Sequence, residues 1–345
     1  MVIGLTKKIR RTAFLLLIGL TGAAVVFILN IILGSVNIPL SEIFHAFSAS
    51  DDKTVYHKII TDIRLPRACA ALIGGSALAV SGILLQVFFS NPIVEPYVLG
   101  ISSGASLFTG MVILIGFRLG IVALGNTGMF LGAFIGAMAV SAIVVIASQN
   151  VKSITTLLII GMMFGYVCSA AISIMTAFAD RERLASFVIW TMGSFSGFSW
   201  QQTILMYLVI SPVILLSFLL SKPLNIMLLG EEYARSMGIA IKPFRAALIT
   251  VSGILCAAVT AFAGPISFVG LAVPHIVRLI FGTQDNRIII PASCLYGAIM
   301  SGICDLASRT LLPPYELPLG AMTSVIGAPI LVFLLLNKRG KDGRF

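Results

Sequence analysis

Long apolar stretches recur along the chain, separated by short segments that carry charge, proline or glycine. Each stretch is close to the ~20 residues that cross a ~30 Å hydrocarbon layer as an α-helix. About ten of them cover residues 13–33, 66–86, 97–117, 127–148, 154–178, 200–221, 245–264, 266–282, 288–308 and 319–337. The eighth is short and interrupted by Pro274, so nine crossings also fit. The pattern predicts an all-α membrane protein of about ten transmembrane helices, with residues 1–345 forming one domain.

Composition strengthens this prediction. The chain has 345 residues, of which 58% are hydrophobic and 10% charged, whereas soluble domains carry about 25% charged residues. Basic residues precede the first apolar stretch and no small-residue cleavage site follows it, so we predict an uncleaved first span. The five cysteines are isolated within apolar stretches and lack metal-ligand spacing, which predicts small buried residues.

The basic residues predict an orientation. If the amino terminus lies inside, 15 of the 23 Lys and Arg residues fall in inner segments, and most acidic residues fall in outer ones. The positive-inside rule then places both termini in the cytoplasm. The net charge of +10 is spread over short pieces between spans, which argues against a nucleic-acid partner and leaves membrane lipid as the surrounding surface.

Catalytic and nucleotide-binding motifs are missing. The sequence contains no GxxxxGK[ST], HExxH or GxSxG, which disfavours a membrane-embedded enzyme and predicts no metal or cofactor in this chain. Asp305 is the one carboxylate clearly inside a predicted span. It gives weak support to an ion-gradient-driven secondary transporter. The alternative is an acid near a helix end that bonds to backbone or to Arg309, four residues on.

The longest inner loop, residues 222–244, predicts a short helix. Gly230 ends one helical turn, and Glu231 and Glu232 open the next, where acids suit the positive end of the helix dipole. A helix this short is marginal alone in water, so it needs a surface to lie on. The adjacent glutamates disfavour an anionic lipid surface, and we favour a groove on a cytoplasmic protein.

Several long motifs resemble one family in its own order along the chain. They are RLPRACAALIGGSALAVSG (64–82), LLQVFFSNPIVEPYVLGISSGA (84–105), WTMGSFSGFSW (190–200), LNIMLLGEEYARSMGI (224–239), GPISFVGLAVPHIVRLIFGTQDNR (264–287) and ELPLGAMTSVIGAP (316–329). The chain resembles the FecCD family of ABC-importer permeases, which move iron-siderophore, haem and cobalamin. The resemblance covers roughly residues 62–336.

The resemblance implies a BtuC-like type II ABC-importer permease fold in a bacterial or archaeal plasma (inner) membrane. It implies a second permease copy enclosing one pathway, two cytoplasmic ATPase subunits that bind ATP and Mg, and one extracytoplasmic substrate-binding protein. Ferric siderophore is the first expected substrate, followed by haem or cobalamin. Whether the two permease copies are identical is left open.

Two groups of inner positions take roles from the resemblance. The short-helix region resembles the coupling helix that docks onto the ATPase. Its positions here are Leu228, Gly230, Glu231, Glu232, Ala234, Arg235, Met237 and Gly238. The cytoplasmic gate would comprise Asn91, Ile93, Thr155 and Thr156. The proline and glycine residues there are also typical of ordinary loops between helices.

Two further groups have open interpretations. Arg64, Arg67 and Arg309 lie at the predicted outer ends of spans, where arginines snorkel or, by the resemblance, bind acidic residues of the binding protein. Pro274, His275 and Arg278 form PHIVR, which we interpret as structural or coupling. A metal site at this histidine is disfavoured because no second ligand lies three or four residues on.

Overall fold

The computed structural model describes residues 2–39, 41–43, 54–116, 125–151 and 153–338, which form helices joined by turns, with no strand among them. The main helices in chain order are α1 Val2–Ile32, α2 Val55–Phe88, α3 Ile101–Ile115, α4 Gly125–Asn150, α5 Ile154–Ala177, α6 Arg181–Thr191, α7 Trp200–Leu219, α8 Ser221–Met227, α9 Glu231–Ser236, α10 Ile241–Ala263, α11 Val269–Phe281, α12 Asn286–Thr310 and α13 Leu319–Lys338.

Ten of these helices match the ten predicted apolar stretches in order. Among the described residues, seven are long and apolar enough to cross a membrane, namely α1, α2, α4, α5, α7, α10 and α12. The helices α3, α11 and the apolar part of α13 are shorter. The predicted all-α membrane fold with about ten spans is therefore confirmed.

The centre of the bundle is formed by α2, α10 and α12, which are mostly buried. Their backbones approach so closely that a Cβ added to Gly75 would lie 2.2 Å from the carbonyl oxygen of Gly297. Helix α2 also packs closely against α11, since a Cβ added to Gly82 would lie 1.9 Å from the carbonyl oxygen of Gly270. Lipid provides no hydrophobic force between helices, so this close packing is what holds the core together.

Two pairs of glycines spaced four residues apart, Gly132 and Gly136 of α4 and Gly161 and Gly165 of α5, pack within the chain. Gly136 of α4 lies against Gly104 of α3, and Gly161 of α5 lies against Leu99. Intramolecular packing is thus the role that the structure gives these positions. The outward faces of α1, α4, α5 and α7 remain mostly apolar and exposed, as expected for helices in contact with lipid or another subunit.

The interruption expected at Pro274 lies elsewhere. Helix α11 runs through Pro274, and the chain is irregular earlier, between α10 and α11. Proline has no N–H, so the carbonyl of Gly270, four residues back, lacks its helical donor. The side-chain Nε2 of Gln86 donates to that carbonyl at 3.1 Å. A polar residue of α2 therefore compensates for the proline of α11.

Candidate functional site

Two ends of the bundle carry the predicted functional residues. We call the end with α8, α9, Val151 and the loop 89–100 the coupling end, and the end with Arg64, Arg67 and Arg309 the arginine end. Helix α2 joins them, and the 22 residues from Arg67 to Phe88 span about 30 Å at 1.5 Å per residue.

The predicted short helix is present as α9. It begins after Gly230, whose φ of 106° suits glycine, and ends at Ser236. Ala234 is fully buried, whereas Met237 lies beyond the helix end and is exposed. Although they stand three residues apart, these two residues therefore do not share one face of the helix. Leu228 and Gly238 flank the helix and are also exposed.

The two adjacent glutamates of α9 have different surroundings. Glu232 and Arg235 are exposed. Glu231 instead turns inward and accepts hydrogen bonds from Nε of Arg245 on α10, at 3.0 Å, and from its Nη2. Of the three charged residues in the predicted coupling helix, only Glu232 and Arg235 are thus free to face a partner.

The predicted gate residues lie at the coupling end. The Oδ1 atom of Asn91 accepts from the backbone N–H of Ile93 at 3.0 Å, and the Ile93 side chain is exposed. Thr155 and Thr156 occupy the exposed first turn of α5, where the N–H of Thr156 donates to Oγ of Ser153 at 3.3 Å. Their role as a gate stays a prediction.

The PHIVR motif fastens α11 to the loop 89–100 and the end of α2. Nε2 of His275 lies 3.0 Å from the carbonyl oxygen of Pro92, and Nη1 of Arg278 donates to Oε1 of Gln86 at 2.8 Å. The described residues contain no group of three His, Cys, Asp or Glu side chains that could hold a metal ion. These contacts connect α11 to the loop 89–100 and to α2, which agrees with the structural or coupling interpretation.

The loop 89–100 rises along α11 rather than crossing the end of the bundle. The buried Glu95 accepts from the backbone N–H of Phe268 at 3.1 Å. Phe268 precedes His275 by seven residues, so the loop follows about 10 Å of α11. Such irregular backbone is tolerated at membrane depth only beside protein or water. Beside it, Tyr97, Ser267, Thr191 and Ser324 help to line a cavity of about 310 Å³.

At the arginine end, charged side chains bond to one another within the chain. Nε of Arg67 donates to both carboxylate oxygens of Asp305, at 3.0 and 3.1 Å, and its Nη1 and Nη2 donate to Glu316 at 2.8 and 3.2 Å. Arg309 donates to the backbone and side-chain oxygens of Asn30, both at 2.7 Å, and lies 3.7 Å from Asp305. Asp305 therefore bonds to an arginine of α2 as well as lying near Arg309.

The third arginine of this end is also engaged. Arg64 donates to the carbonyls of Ile31 and Ile32 at 2.8 and 2.7 Å, and to that of Val36. All three arginines are buried. Their guanidinium groups already have acceptors within the chain. Contact of these arginines with a binding protein stays a prediction.

Glu316 is the partly exposed member of the network. Burial alone would raise the pKa of its carboxyl group, but hydrogen bonds from Arg67 and Ser196 and the nearby guanidinium charges hold that pKa below its usual value. Its charged form is therefore stabilised in the folded chain.

Three polar residues were not singled out from the sequence, namely Gln86, Glu95 and Arg245. Polar groups within apolar stretches are costly at membrane depth, which is a signal that Gln86, the last residue of the stretch 66–86, carried. Glu95 carried no such signal, because it lies between two predicted spans. Arg245 gave no such signal, because it begins an apolar stretch and was simply counted among the inner basic residues.

Comparison with known proteins decides the family. The FecCD transport family model matches residues 20–337. The chain belongs to the FecCD transport family. The hemin transport system permease protein HmuU of Yersinia pestis is 36% identical over 321 residues, covering 92% of this chain and 95% of HmuU. The vitamin B12 import system permease protein BtuC of Klebsiella pneumoniae is 38% identical over 282 residues, covering 82% and 83%.

A solved structure supports the same assignment. An inward-facing conformation of a metal-chelate type ABC transporter superimposes with a TM-score of 0.79 at 30% identity, covering 92% of this chain and 98% of that one. This FecCD protein is thus a multi-pass membrane permease of the ABC-importer class, and the BtuC-like fold expected from its motifs is confirmed.

Proposed function

We propose that this FecCD permease imports a metal chelate, with ferric siderophore as the first expectation and haem or cobalamin next. The observation that carries the proposal is the family match over residues 20–337, together with relatives named for hemin and vitamin B12. The chain itself performs no chemistry in this proposal. ATP and Mg are bound by two separate cytoplasmic ATPase subunits.

The exposed face of α9 supports docking of an ATPase. Glu232, Tyr233, Arg235 and Met237 present charged and large apolar groups to the outside of the chain. An isolated helix of six residues is not stable in water, and a groove on a soluble partner provides the missing contact. ATP binding and hydrolysis would then move α9 and drive alternation between outward- and inward-facing states.

The size of the cavity supports a second permease copy. At about 310 Å³ it is near the lower limit of the ~300–1,000 Å³ typical of small-molecule sites. A siderophore, haem or cobalamin needs more room than this cavity offers, and a pathway between two copies provides it. A binding protein at the arginine end would deliver the substrate. The permease would lie in a bacterial or archaeal plasma membrane, with both termini in the cytoplasm.

The rival function is an ion-gradient-driven carrier. Its best candidate residue was Asp305, whose carboxylate is bonded to Arg67 and close to Arg309. A carboxylate with these partners offers less to a coupling ion than a free one, so the structure favours the importer.

The test is uptake into proteoliposomes that contain this permease with its cognate ATPase and binding protein. Ferric siderophore, hemin and cyanocobalamin are offered separately, with ATP inside and with the ion gradients dissipated. We expect uptake of one of them that requires ATP and survives loss of the gradients. Uptake that persists without nucleotide and collapses with an ion gradient would establish the carrier instead.

A further inference from the structure

The structure joins α9 to both predicted gate segments through one side chain. We propose that Arg245 is a positioning residue that transmits movement of α9 to the loop 89–100 and to the segment before α5. The inference rests on the proposed function, because it needs a partner that moves α9.

On one side, Arg245 holds α9. Two of its nitrogens donate to the same oxygen of Glu231, the first residue of the helix. Gly230 and Gly238 flank α9 with φ of 106° and 85°, and an added Cβ would meet nothing within 4 Å at either. The helix therefore lies between two glycine turns that have free space around them. The buried Ala234 and the Glu231–Arg245 pair attach it to the bundle.

On the other side, Arg245 meets the beginnings of both gate segments. Its Nη1 donates to the carbonyl of Val151 at 3.4 Å, four residues before Thr155. Its guanidinium carbon lies 6.0 Å from the ring centroid of Phe88, the last residue of α2 and three residues before Asn91. A cation is favoured at both places, over an aromatic face and beside the carbonyls at the end of α4.

The chemistry of arginine suits this role. Its planar group donates in several fixed directions at once, so a shift of Glu231 turns the whole plane and changes the contacts with Val151 and Phe88 together. The side chain of Arg245 is only 7% exposed. Leaving a buried charge without its partner is costly, so Arg245 follows the carboxylate instead of releasing it. A lysine could keep the charge but not both sets of contacts.

The test separates movement of the gate from hydrolysis. The substitution Ile93→Cys places a thiol at an exposed gate position, and its labelling by a membrane-impermeant maleimide is measured with and without ATP in the reconstituted complex. The same chain without Ile93→Cys gives the background from native cysteines. ATP hydrolysis is measured on the same samples. The variants are Arg245→Gln, Arg245→Lys, Glu231→Gln and the exchange Glu231→Arg/Arg245→Glu, with Asp180→Asn as the control for loss of a carboxylate.

In Arg245→Gln we expect the ATP-dependent change in labelling to fall about tenfold, the lower limit for losing a hydrogen bond to a charged group, while hydrolysis continues. Glu231→Gln removes the same bond and should lower the change in labelling to a similar extent. Arg245→Lys should be intermediate, and the exchange should restore most of the response. An unchanged response in Arg245→Gln would overturn the proposal. So would parallel loss of response and hydrolysis that the exchange does not restore, because that indicates general damage. If the unaltered complex hydrolyses no ATP, the proposed function itself fails, which is a different result.

Discussion

The arginine end and the coupling end both bury guanidinium groups, but they use them differently. At the arginine end, Arg67 and Arg309 bond to Asp305 and Asn30 on the long helices α12 and α1, and Asp305 is 1% exposed. At the coupling end, Arg245 bonds to Glu231, whose side chain is 28% exposed on a six-residue helix between two glycines. The first network fixes long helices to one another. The second connects a small, loosely attached element to the bundle.

The largest expected effect is at the arginine end. Asp305→Asn leaves two buried guanidinium groups without their shared carboxylate, so we expect the free energy of unfolding to fall by about 3–5 kcal/mol. Denaturant or thermal unfolding of the purified chain in detergent measures this. The control is Asp180→Asn, whose carboxylate is 80% exposed and 3.7 Å from Arg183. It should change stability by less than about 1 kcal/mol. If Asp305→Asn and Asp180→Asn lowered the free energy of unfolding equally, the buried ion pair would be no more important for stability than the exposed one.

The core between the ends should be the next most sensitive. Gly82→Ala places a methyl group 1.9 Å from the backbone oxygen of Gly270, so α2 and α11 must separate. We expect a cost near the upper limit of the usual ~1–3 kcal/mol for overpacking. Gly165→Ala is the matched control, because its added carbon would lie 3.4 Å or more from its neighbours. Unfolding curves that coincide for the two variants would contradict the close packing of α2 with α11.

A local effect is expected at the coupling end. Gln86→Leu removes the acceptor of Arg278 and the donor to Gly270 beside Pro274. Its cost should be about 1–2 kcal/mol, since the buried carbonyl of Gly270 and the partly buried guanidinium of Arg278 each lose a partner. Hydrogen–deuterium exchange should speed up in α11 and the loop 89–100 and stay unchanged around Arg67. Faster exchange spread evenly over both ends would show that they are not separate units.

The smallest effect concerns pH at the arginine end. The folded pKa of Glu316 lies below its unfolded value, so its ion pair with Arg67 adds stability above about pH 4.5 that is lost as the pH falls through the folded pKa. The partly exposed carboxylate should contribute about 1 kcal/mol or less. The difference in Tm between the unaltered chain and Glu316→Gln should therefore shrink on acidification from pH 6 to pH 3. A difference independent of pH would contradict this assignment.

The sequence predicted the helices well and the contacts poorly, for physical reasons. Span length and the α9 helix follow from local patterns, namely apolar stretches and a glycine followed by two acids. The partners of Glu231 and Gln86 depend on which helices meet, which no local pattern contains. Hence the sequence did not indicate that Glu231 bonds to Arg245. Nor did it indicate that α11 continues through Pro274, where Gln86 of another helix provides the missing donor.

The arginines show the same limit. Their positions near span ends were evident, but snorkelling and docking both fit the pattern. Their bonds to Asp305, Asn30 and Glu316 emerge only when α1, α2 and α12 pack together.

The central claim is that the exposed face of α9 binds a separate ATPase. The most direct measurement is the affinity of the purified cognate ATPase for the permease in detergent, compared between the unaltered chain, Glu232→Gln/Arg235→Gln and the control Asp180→Asn. We expect about tenfold weaker binding for the double variant, as for loss of central interface contacts, and no change for the control. Equal affinity for all three, with uptake unaltered, would contradict the account.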